Sequence, residues 1–116
     1  MTASPTVAQH FGGRDSSVKA IYTALLRAAR ALGPVREDPK KTSIHLVRTT
    51  AFAGVATQRA ALILTLKASA DIKSPRIRKH EQASAGRWYL YLRLEAPSEV
   101  DAELVSWLRQ AYALAG

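Results

Sequence analysis

The chain contains two short patterns whose residue types could perform catalysis. Ser16 and Lys19 have the S-x-x-K spacing of a serine–lysine nucleophile pair. Asp38-Pro39-Lys40 has the D-x-K order of some metal-dependent nucleases, with Glu37 beside it. The serine pair lies in a turn that caps a helix, and Pro39 opposes the strand that the nuclease motif requires. We therefore assign no catalytic residue, and a metal-dependent nuclease-like enzyme is kept only as the last alternative.

Metal and cofactor sites have equally little support in the sequence. His10, His45 and His80 show no paired spacing on one helix and no carboxylate placed as a co-ligand. The absence of cysteine excludes disulfides, thiolate metal sites and a cysteine nucleophile. Gly12–Gly13 is too little glycine for a loop that cradles phosphates. We expect no metal site and no cofactor.

The distribution of charge gives the clearest indication of a partner. The formal net charge is +8 and the pI is near 10.3. Residues 36–93 carry twelve basic and four acidic side chains, whereas residues 94–116 carry one arginine and four carboxylates. Positive potential is thus concentrated in the middle of the chain, and basic domains attract polyanions. The alternative is a basic surface that has no polyanion as its target.

Two helices enclose this basic middle part. The first is predicted over residues 16–32, where apolar side chains recur at three- and four-residue spacing, and Gly33–Pro34 ends it. The second opens at Ser98, which together with Asp101 resembles a capping box. These helices must supply apolar faces that cover whatever strands lie between them.

Four strands are predicted between the helices, at Thr42–Arg48, Ala51–Thr57, Ala61–Lys67 and Arg87–Glu95. The last of them has the clearest alternation of apolar and polar residues. Gly54 interrupts the second strand, where a bulge or a close backbone approach is expected. Residues 34–41 are predicted as a polar connector. Residues 68–86 show no periodicity, which indicates a long loop.

This order of elements indicates an α+β fold, α-β-β-β-β-α. Short connections between the first three strands permit only antiparallel neighbours. We predict a single four-stranded antiparallel sheet with the N-terminal and C-terminal helices packed on one face. Residues 15–116 would form this single domain after a flexible lead-in at residues 1–14. The chain has neither a signal peptide nor a run of roughly 20 apolar residues, so we expect a cytoplasmic protein with no membrane partner.

The predicted sheet leaves one face without helices. If the leucines of the last two strands face the helices, the other face carries tyrosines and cations, with His45 and Arg48 joining from the first strand. The predicted loop adds further cations. Lys and Arg contact phosphates, and tyrosines stack on unpaired bases. The candidate binding residues are therefore Lys67, Lys73, Arg76, Arg78, Lys79, Tyr89, Tyr91 and Arg93.

The favoured function is a non-enzymatic binding or accessory domain, with nucleic acid as the first partner to consider. The alternative is a protein-interaction or homo-oligomerisation module, because tyrosine is also enriched at protein interfaces. In that case Tyr89 and Tyr91 would pack against a second copy or another protein, and the cations would be solvated.

Three runs of the sequence resemble a known family: PKKTSIHLVRTTAFAGVATQRAALILTLK, SPRIRKHEQASAGRWYLYLRL and SEVDAELVSWLRQAYALAG. They are similar to the bacterial and archaeal domain-of-unknown-function family 5655, and the likeness covers about residues 10–115. Ser43 departs from the pattern, because an aromatic residue is common there. The matching positions are Lys41, Phe52-Ala53-Gly54-Val55, Asp101-Ala102-Glu103-Leu104, Trp107-Leu108 and Ala111-Tyr112.

The resemblance implies no catalytic residues, because the family is named for lacking an assigned function. Some relatives carry the domain at one end of a longer chain, which implies an accessory binding role. The element order is also similar to that of small α+β domains of the YjbR/MmcQ type, proposed as DNA binders. That likeness is an analogy of fold and transfers no function.

Overall fold

The computed structural model describes residues 4–116. Short 3-10 turns at Ala8–Phe11 and Pro97–Glu99 each precede a helix. The helices are α1 (Ser16–Arg30) and α2 (Ala102–Leu114), and the strands are β1 (Arg36–Pro39), β2 (Ile44–Val47), β3 (Ala51–Thr57), β4 (Leu62–Ala68), β5 (Ile77–Ser84) and β6 (Arg87–Leu94). The fold is α+β, with one helix before the strands and one after them.

The sheet has six strands, so the prediction of a four-stranded sheet was wrong. The strands lie in the order β1-β2-β3-β4-β6-β5, and all neighbours are antiparallel. The four predicted strands correspond to β2, β3, β4 and β6, which form the centre of the sheet. The two strands that were not predicted are its edges.

The edge strands were missed because they lack the alternation that marks a half-buried strand. β5 lies within the segment predicted as a loop, and apart from Ile77 all of its residues are exposed. β1 lies within the predicted polar connector and includes Pro39, which has no N–H to donate and is tolerated at a sheet edge. Charged residues are usual on edge strands because they discourage pairing with other chains.

The core lies between the two helices and one face of the sheet. The leucines of β4 stand directly opposite those of β6, and all six are at most 1% exposed. α1 and α2 pack against each other and against β4. Burying this apolar surface is the main stabilising contribution to the fold. The opposed pairs are Leu62 with Leu94, Leu64 with Leu92, and Leu66 with Leu90.

A bulge in β3 turns Phe52 toward the helices. The register between β2 and β3 shifts at Leu46/Val47 and leaves Phe52 without a residue opposite it. Phe52 and the following Ala53 are both buried as a result. The Phe52 ring meets the Tyr112 ring of α2 edge-on, with the ring centroids 5.2 Å apart.

The expectation of a bulge or a close backbone approach at Gly54 was therefore wrong. Gly54 pairs regularly with His45 on one side and Thr65 on the other. A Cβ atom added at Gly54 would lie 3.7 Å from the Cβ of Thr65, which is an ordinary contact. The irregularity lies two residues earlier, where the large Phe52 side chain gains a buried position.

α2 begins later than predicted. Its N-cap is Asp101, whose carboxylate accepts a hydrogen bond from the Leu104 backbone N–H at 3.0 Å. The predicted capping box of Ser98 with Asp101 was wrong, because Asp101 itself occupies the cap and Ser98 lies in the preceding 3-10 turn. Within residues 4–116, no helix is long and apolar enough to cross a membrane.

Tyr22 connects α1 to the edge of the sheet. Its hydroxyl donates to the Glu37 carboxylate of β1 at 2.6 Å. Burial, reinforced by this carboxylate, raises the pKa of Tyr22 above its ordinary value. Phe11 of the first 3-10 turn packs against the same ring, with the centroids 5.2 Å apart.

The part of the predicted lead-in that falls on residues 1–3 lies outside the described residues.

Replacing Phe52 by alanine should lower the free energy of unfolding by about 3–4 kcal/mol, because it leaves a cavity against α2. Leu114→Ala is the control, since Leu114 is 41% exposed at the end of the same helix; its effect should stay below about 0.5 kcal/mol. Urea unfolding followed by tryptophan fluorescence measures both. Equal losses in the two variants would contradict the buried position of Phe52.

Candidate ligand-binding face

The face of the sheet opposite the helices carries the remaining side chains of β4 and β6. We call it the open face. Successive strand residues point to opposite sides, so the register that pairs the core leucines also fixes the residue pairs on this face. Except for Lys67, these side chains are half-buried. The pairs are Lys67 with Tyr89, Thr65 with Tyr91, and Ile63 with Arg93.

β5 extends the open face beyond β6. Lys79 stands opposite Tyr91, and its ammonium lies 5.1 Å from the centroid of the tyrosine ring. Glu81 accepts a hydrogen bond from the Tyr91 hydroxyl at 3.4 Å and pairs with Lys79 at 3.6 Å. The charged partners are exposed side chains, and such contacts contribute little to stability. A ligand can therefore displace Lys79 from the ring at small cost.

Arg93 lies at the far end of the same row. It donates to the side-chain carbonyl of Gln58 in the β3–β4 turn, and its guanidinium is 3.7 Å from the Glu95 carboxylate. This ion pair is solvent-accessible, so it contributes at most about 1 kcal/mol. Arg93 can exchange Glu95 for an anion on a ligand.

A cavity of about 390 Å³ opens on this face over the central strands. Small residues of β3, namely Ala51, Gly54 and Ala56, form its floor. Lys67 and Tyr89 lie on the β4–β6 side, while Ser43 and His45 lie on the β2 side. The cavity therefore has a low apolar floor with polar groups on two opposite walls.

Lys67 is the unusual residue of this cavity. Within residues 4–116 it is the one charged side chain that is buried, with 9% of its surface exposed. Its ammonium donates to the Thr50 hydroxyl at 3.4 Å. No carboxylate of the described residues lies within ion-pair distance of it. A cation removed from water is costly unless an opposite charge compensates it.

The two residues expected to join from the first strand have different positions. His45 lines the cavity and stands opposite Asp38 of β1. Asp38 is bonded to the Lys40 ammonium at 2.9 Å, and this bond holds the pKa of the Asp38 carboxyl below its usual value. Arg48 instead packs on α2, where it donates to the Tyr112 carbonyl at 3.1 Å and covers the ring of that tyrosine.

The predicted basic loop presents less free charge than its sequence indicates. Lys73 pairs with Asp71 at 3.0 Å, and Asp71 also binds the imidazole of His80. The hydrogen bond to His80, with a smaller contribution from Lys73, lowers the pKa of Asp71. Arg78 is exposed on β5 and forms no ion pair with another described residue. Of the four cations predicted here, Lys79 is the one that contacts a tyrosine of the open face.

Arg76 holds the loop against α2. Its guanidinium donates to the carboxylates of Asp101 at 2.9 Å and Glu103 at 3.1 Å, and to the Glu99 carbonyl at 2.7 Å. It also lies 5.7 Å from the Trp107 ring. The N-cap hydrogen bond of α2 and the Arg76 guanidinium together lower the pKa of Asp101. Arg76 is thus surrounded by acidic partners and lies away from the tyrosines of the open face.

The catalytic patterns do not assemble into a site. Ser16 and Lys19 are both exposed on α1. Asp38 is bonded to Lys40, whereas the neighbouring Glu37 points to Tyr22. In the part of the chain that the structure describes, no three histidine or acidic side chains are grouped so that they could hold a metal ion. The D-x-K pattern therefore lacks the converging second carboxylate that the nuclease interpretation requires.

Sequence reasoning missed the cavity itself. The one available signal was the low side-chain volume of β3, whose sequence is AFAGVAT. Alternation alone does not show which of these residues share a face, because the bulge at Phe52 changes the phase between Ala51 and Ala53. Burial of Lys67 could not be foreseen either, since it depends on what surrounds β4.

Fold and site together define a small α+β domain with a cationic, tyrosine-bearing open face on a six-stranded antiparallel sheet. A family model described as "Domain of unknown function (DUF5655)" matches residues 7–115, and the chain belongs to this family. The resemblance noted in the sequence is thereby confirmed. No curated protein and no solved structure matches the chain. The likeness to YjbR/MmcQ-type domains stays a prediction.

Arg76→Ala should lower the free energy of unfolding by about 1–2 kcal/mol, because it removes charged hydrogen bonds that tie the loop to α2. Arg78→Ala is the matched control, since it removes an exposed arginine of the same segment; its effect should be within about 0.5 kcal/mol. Urea unfolding at neutral pH measures both changes. Similar values for the two variants would show that the Arg76 contacts contribute nothing.

The Arg76 effect should also depend on pH. Because the folded-state pKa of Asp101 is lowered, its contribution is fully present above the ordinary carboxyl pKa of about 3.9 and is lost as the pH falls through the lower folded value. Unfolding series from pH 7 to pH 2 should therefore show wild type and Arg76→Ala converging below about pH 4. A constant difference across that range would contradict this account.

Proposed function

We propose that this chain is a non-enzymatic binding domain that holds single-stranded nucleic acid on its open face. The observation that carries the proposal is the row formed by Tyr89, Tyr91 and Arg93, which project from one strand on a face that no helix of residues 4–116 covers. Lys67 and Lys79 stand beside the two tyrosines on the neighbouring strands. Aromatic rings and cations are thus interleaved over three strands.

This arrangement suits unpaired bases better than a duplex. Tyr89 and Tyr91 are two residues apart, so their positions are separated by roughly 6.6 Å along the strand. Each ring can receive the face of one base, and the adjacent cations can contact the linking phosphates. In a duplex the base faces are already stacked on each other, and tyrosines on a sheet would have nothing to stack on.

The second candidate is a homo-oligomerisation or protein-interaction module that uses the same tyrosines. A two-fold interface would place the same patch of two copies face to face. Lys79 and Arg93 have carboxylate partners, but Lys67 has none within ion-pair distance among the described residues and would be enclosed in that interface facing a surface of like charge, which is unfavourable. Charge therefore favours an anionic partner over a second copy, and solution size distinguishes the two.

Binding is tested by fluorescence anisotropy with labelled random-sequence single-stranded DNA and RNA, and with duplexes, across a salt series. Three phosphate contacts, from Lys67, Lys79 and Arg93, predict a slope of about −2 for log K against log salt on single strands. Duplexes should bind more weakly. Absence of any binding at low micromolar protein and about 50 mM salt, where phosphate contacts are strong, would overturn the proposal.

Variants locate the binding surface. Tyr91→Ala should weaken binding by about 5-fold or more, because it removes one stacking platform. Arg93→Ala should make the salt slope shallower by about 0.7. Arg109→Ala is the matched control, because it removes the same charge from an exposed position on α2, behind the sheet; its affinity should be unchanged.

Light scattering separates the second candidate. The binding proposal expects a monomer whose size does not depend on salt or on Tyr91. A salt-insensitive dimer that Tyr91→Asp dissociates would favour the interaction module instead.

Equal effects of Arg93→Ala and Arg109→Ala on nucleic-acid affinity would show that binding is only a response to net charge.

A further inference from the structure

The open-face cavity contains a buried cation whose compensating charge is missing from the described residues. Lys67 is 9% exposed, and among the described residues the only hydrogen-bond partner of its ammonium is the Thr50 hydroxyl, at 3.4 Å. Most other cations near the open face have a carboxylate: Lys79 has Glu81, and Arg93 has Glu95. Lys67 is therefore set apart both by its burial and by its lack of an acidic partner.

The space in front of Lys67 is shaped to receive more than a counter-ion. The cavity has a volume of about 390 Å³, which lies within the roughly 300–1,000 Å³ typical of small-ligand sites. Its floor is the Ala51 and Gly54 surface of β3, and Tyr89 forms a wall beside Lys67. This volume leaves room for a flat ring system over the floor and beside the tyrosine, with an attached anion at the ammonium.

The opposite wall supplies polar groups that can recognise such a ligand. His45 of β2 and Ser43, which lies just before that strand, line the cavity across from Lys67. A hydroxyl and an imidazole both donate and accept hydrogen bonds. Together with Lys67 they provide a lysine at one end of the cavity and hydrogen-bonding groups at the other, separated by an apolar floor.

We propose that this cavity is a binding site for one nucleotide unit, with the phosphate on the Lys67 ammonium and the base between the Gly54 floor and the Tyr89 ring. The inference rests on the proposed function and adds to it a defined pocket on an otherwise sequence-independent surface. The same chemistry is offered by a free 5′-mononucleotide and by a nucleotide within a strand. The two sources differ in whether the neighbouring row of Tyr91 and Arg93 is also used.

Gly54 is a position at which an added side chain would enter the floor of the cavity. A Cβ added there meets nothing closer than 3.7 Å, and the Gly54 backbone does not have the positive φ that would require glycine. Gly54→Val therefore places a branched side chain, which strands favour, into the floor of the site. Gly12→Val is the matched control, because its added Cβ is also free of close contacts and Gly12 does not line the cavity.

The experiment is a titration of the full chain with 5′-nucleoside monophosphates, with the corresponding nucleosides and with inorganic phosphate. Isothermal calorimetry measures the affinities, and ¹H–¹⁵N NMR shifts locate the site. Mononucleotides should bind and should perturb the amides of β3 and β4. Nucleosides and phosphate alone should bind at least 10-fold more weakly, because each lacks one half of the recognition. Mononucleotides should also compete with a labelled single strand.

Two variants test the assignment. Gly54→Val should abolish mononucleotide binding, whereas Gly12→Val should leave it unchanged. Lys67→Met should weaken it by about 30-fold or more, since it removes the buried charge partner. The same variant should have a higher Tm than the wild type, because an uncompensated buried cation is replaced by an apolar chain of similar length. That rise shows that the loss of binding is not a loss of folding.

The pocket and the proposed function fail in different ways. If single strands bind but mononucleotides neither bind nor compete, and Gly54→Val leaves strand affinity unchanged, the pocket is overturned and the surface proposal stands. If mononucleotides bind and Gly54→Val abolishes this, but single strands show no affinity, the pocket stands and the surface proposal is overturned. Inorganic phosphate binding as tightly as mononucleotides would overturn the role of the base.

Discussion

The pairing of two leucine rows fixes nearly everything else in this domain. Leu62, Leu64 and Leu66 of β4 stand opposite Leu94, Leu92 and Leu90 of β6, and both helices need these rows as their apolar surface. A slip of one residue would turn the leucines to solvent, so the register is strongly determined. Because strand residues alternate, the same register places Lys67 beside Tyr89 and Thr65 beside Tyr91 on the other side. The composition of the open face is a consequence of how the core is paired.

The same reasoning explains which elements the sequence could predict. β4 and β6 separate an apolar face from a polar one, and this contrast is visible in their residues alone. β1 and β5 contribute almost nothing to the core, since only Ile77 is buried among them. Their backbones complete the hydrogen bonding of β2 and β6, and this requirement leaves no mark on side-chain type. The edge strands β1 and β5 are thus the elements that the alternation of apolar and polar residues reveals least.

The candidate site was predictable to the extent that it depends on strand phase. Lys67, Tyr89, Tyr91 and Arg93 share the open face as alternation predicted. Arg76 does not join them, because its carboxylate partners come from α2, 25 and 27 residues later in the chain. Composition counts each lysine and arginine equally, whereas the fold pairs Lys73 and Arg76 with carboxylates and buries Lys67. The net charge of +8 therefore suggests more free positive charge in the loop than the fold leaves there, and it does not reveal the buried cation of β4.

Lys67 has a consequence for how stability and binding are related in this domain. A methionine or leucine would fit a buried position between β3 and β6 without the desolvation cost that an ammonium carries. Burial of the leucine core offsets that cost. The charge stays outside this core because Lys67 lies on the side of β4 opposite Leu66. A neighbouring hydroxyl at 3.4 Å compensates the charge poorly. An anion entering the cavity would regain the missing interaction in a low-dielectric setting, where it is stronger than at an exposed lysine. The desolvation cost of Lys67 and its capacity to bind an anion therefore have the same origin, which is its burial without an opposite charge among the described residues.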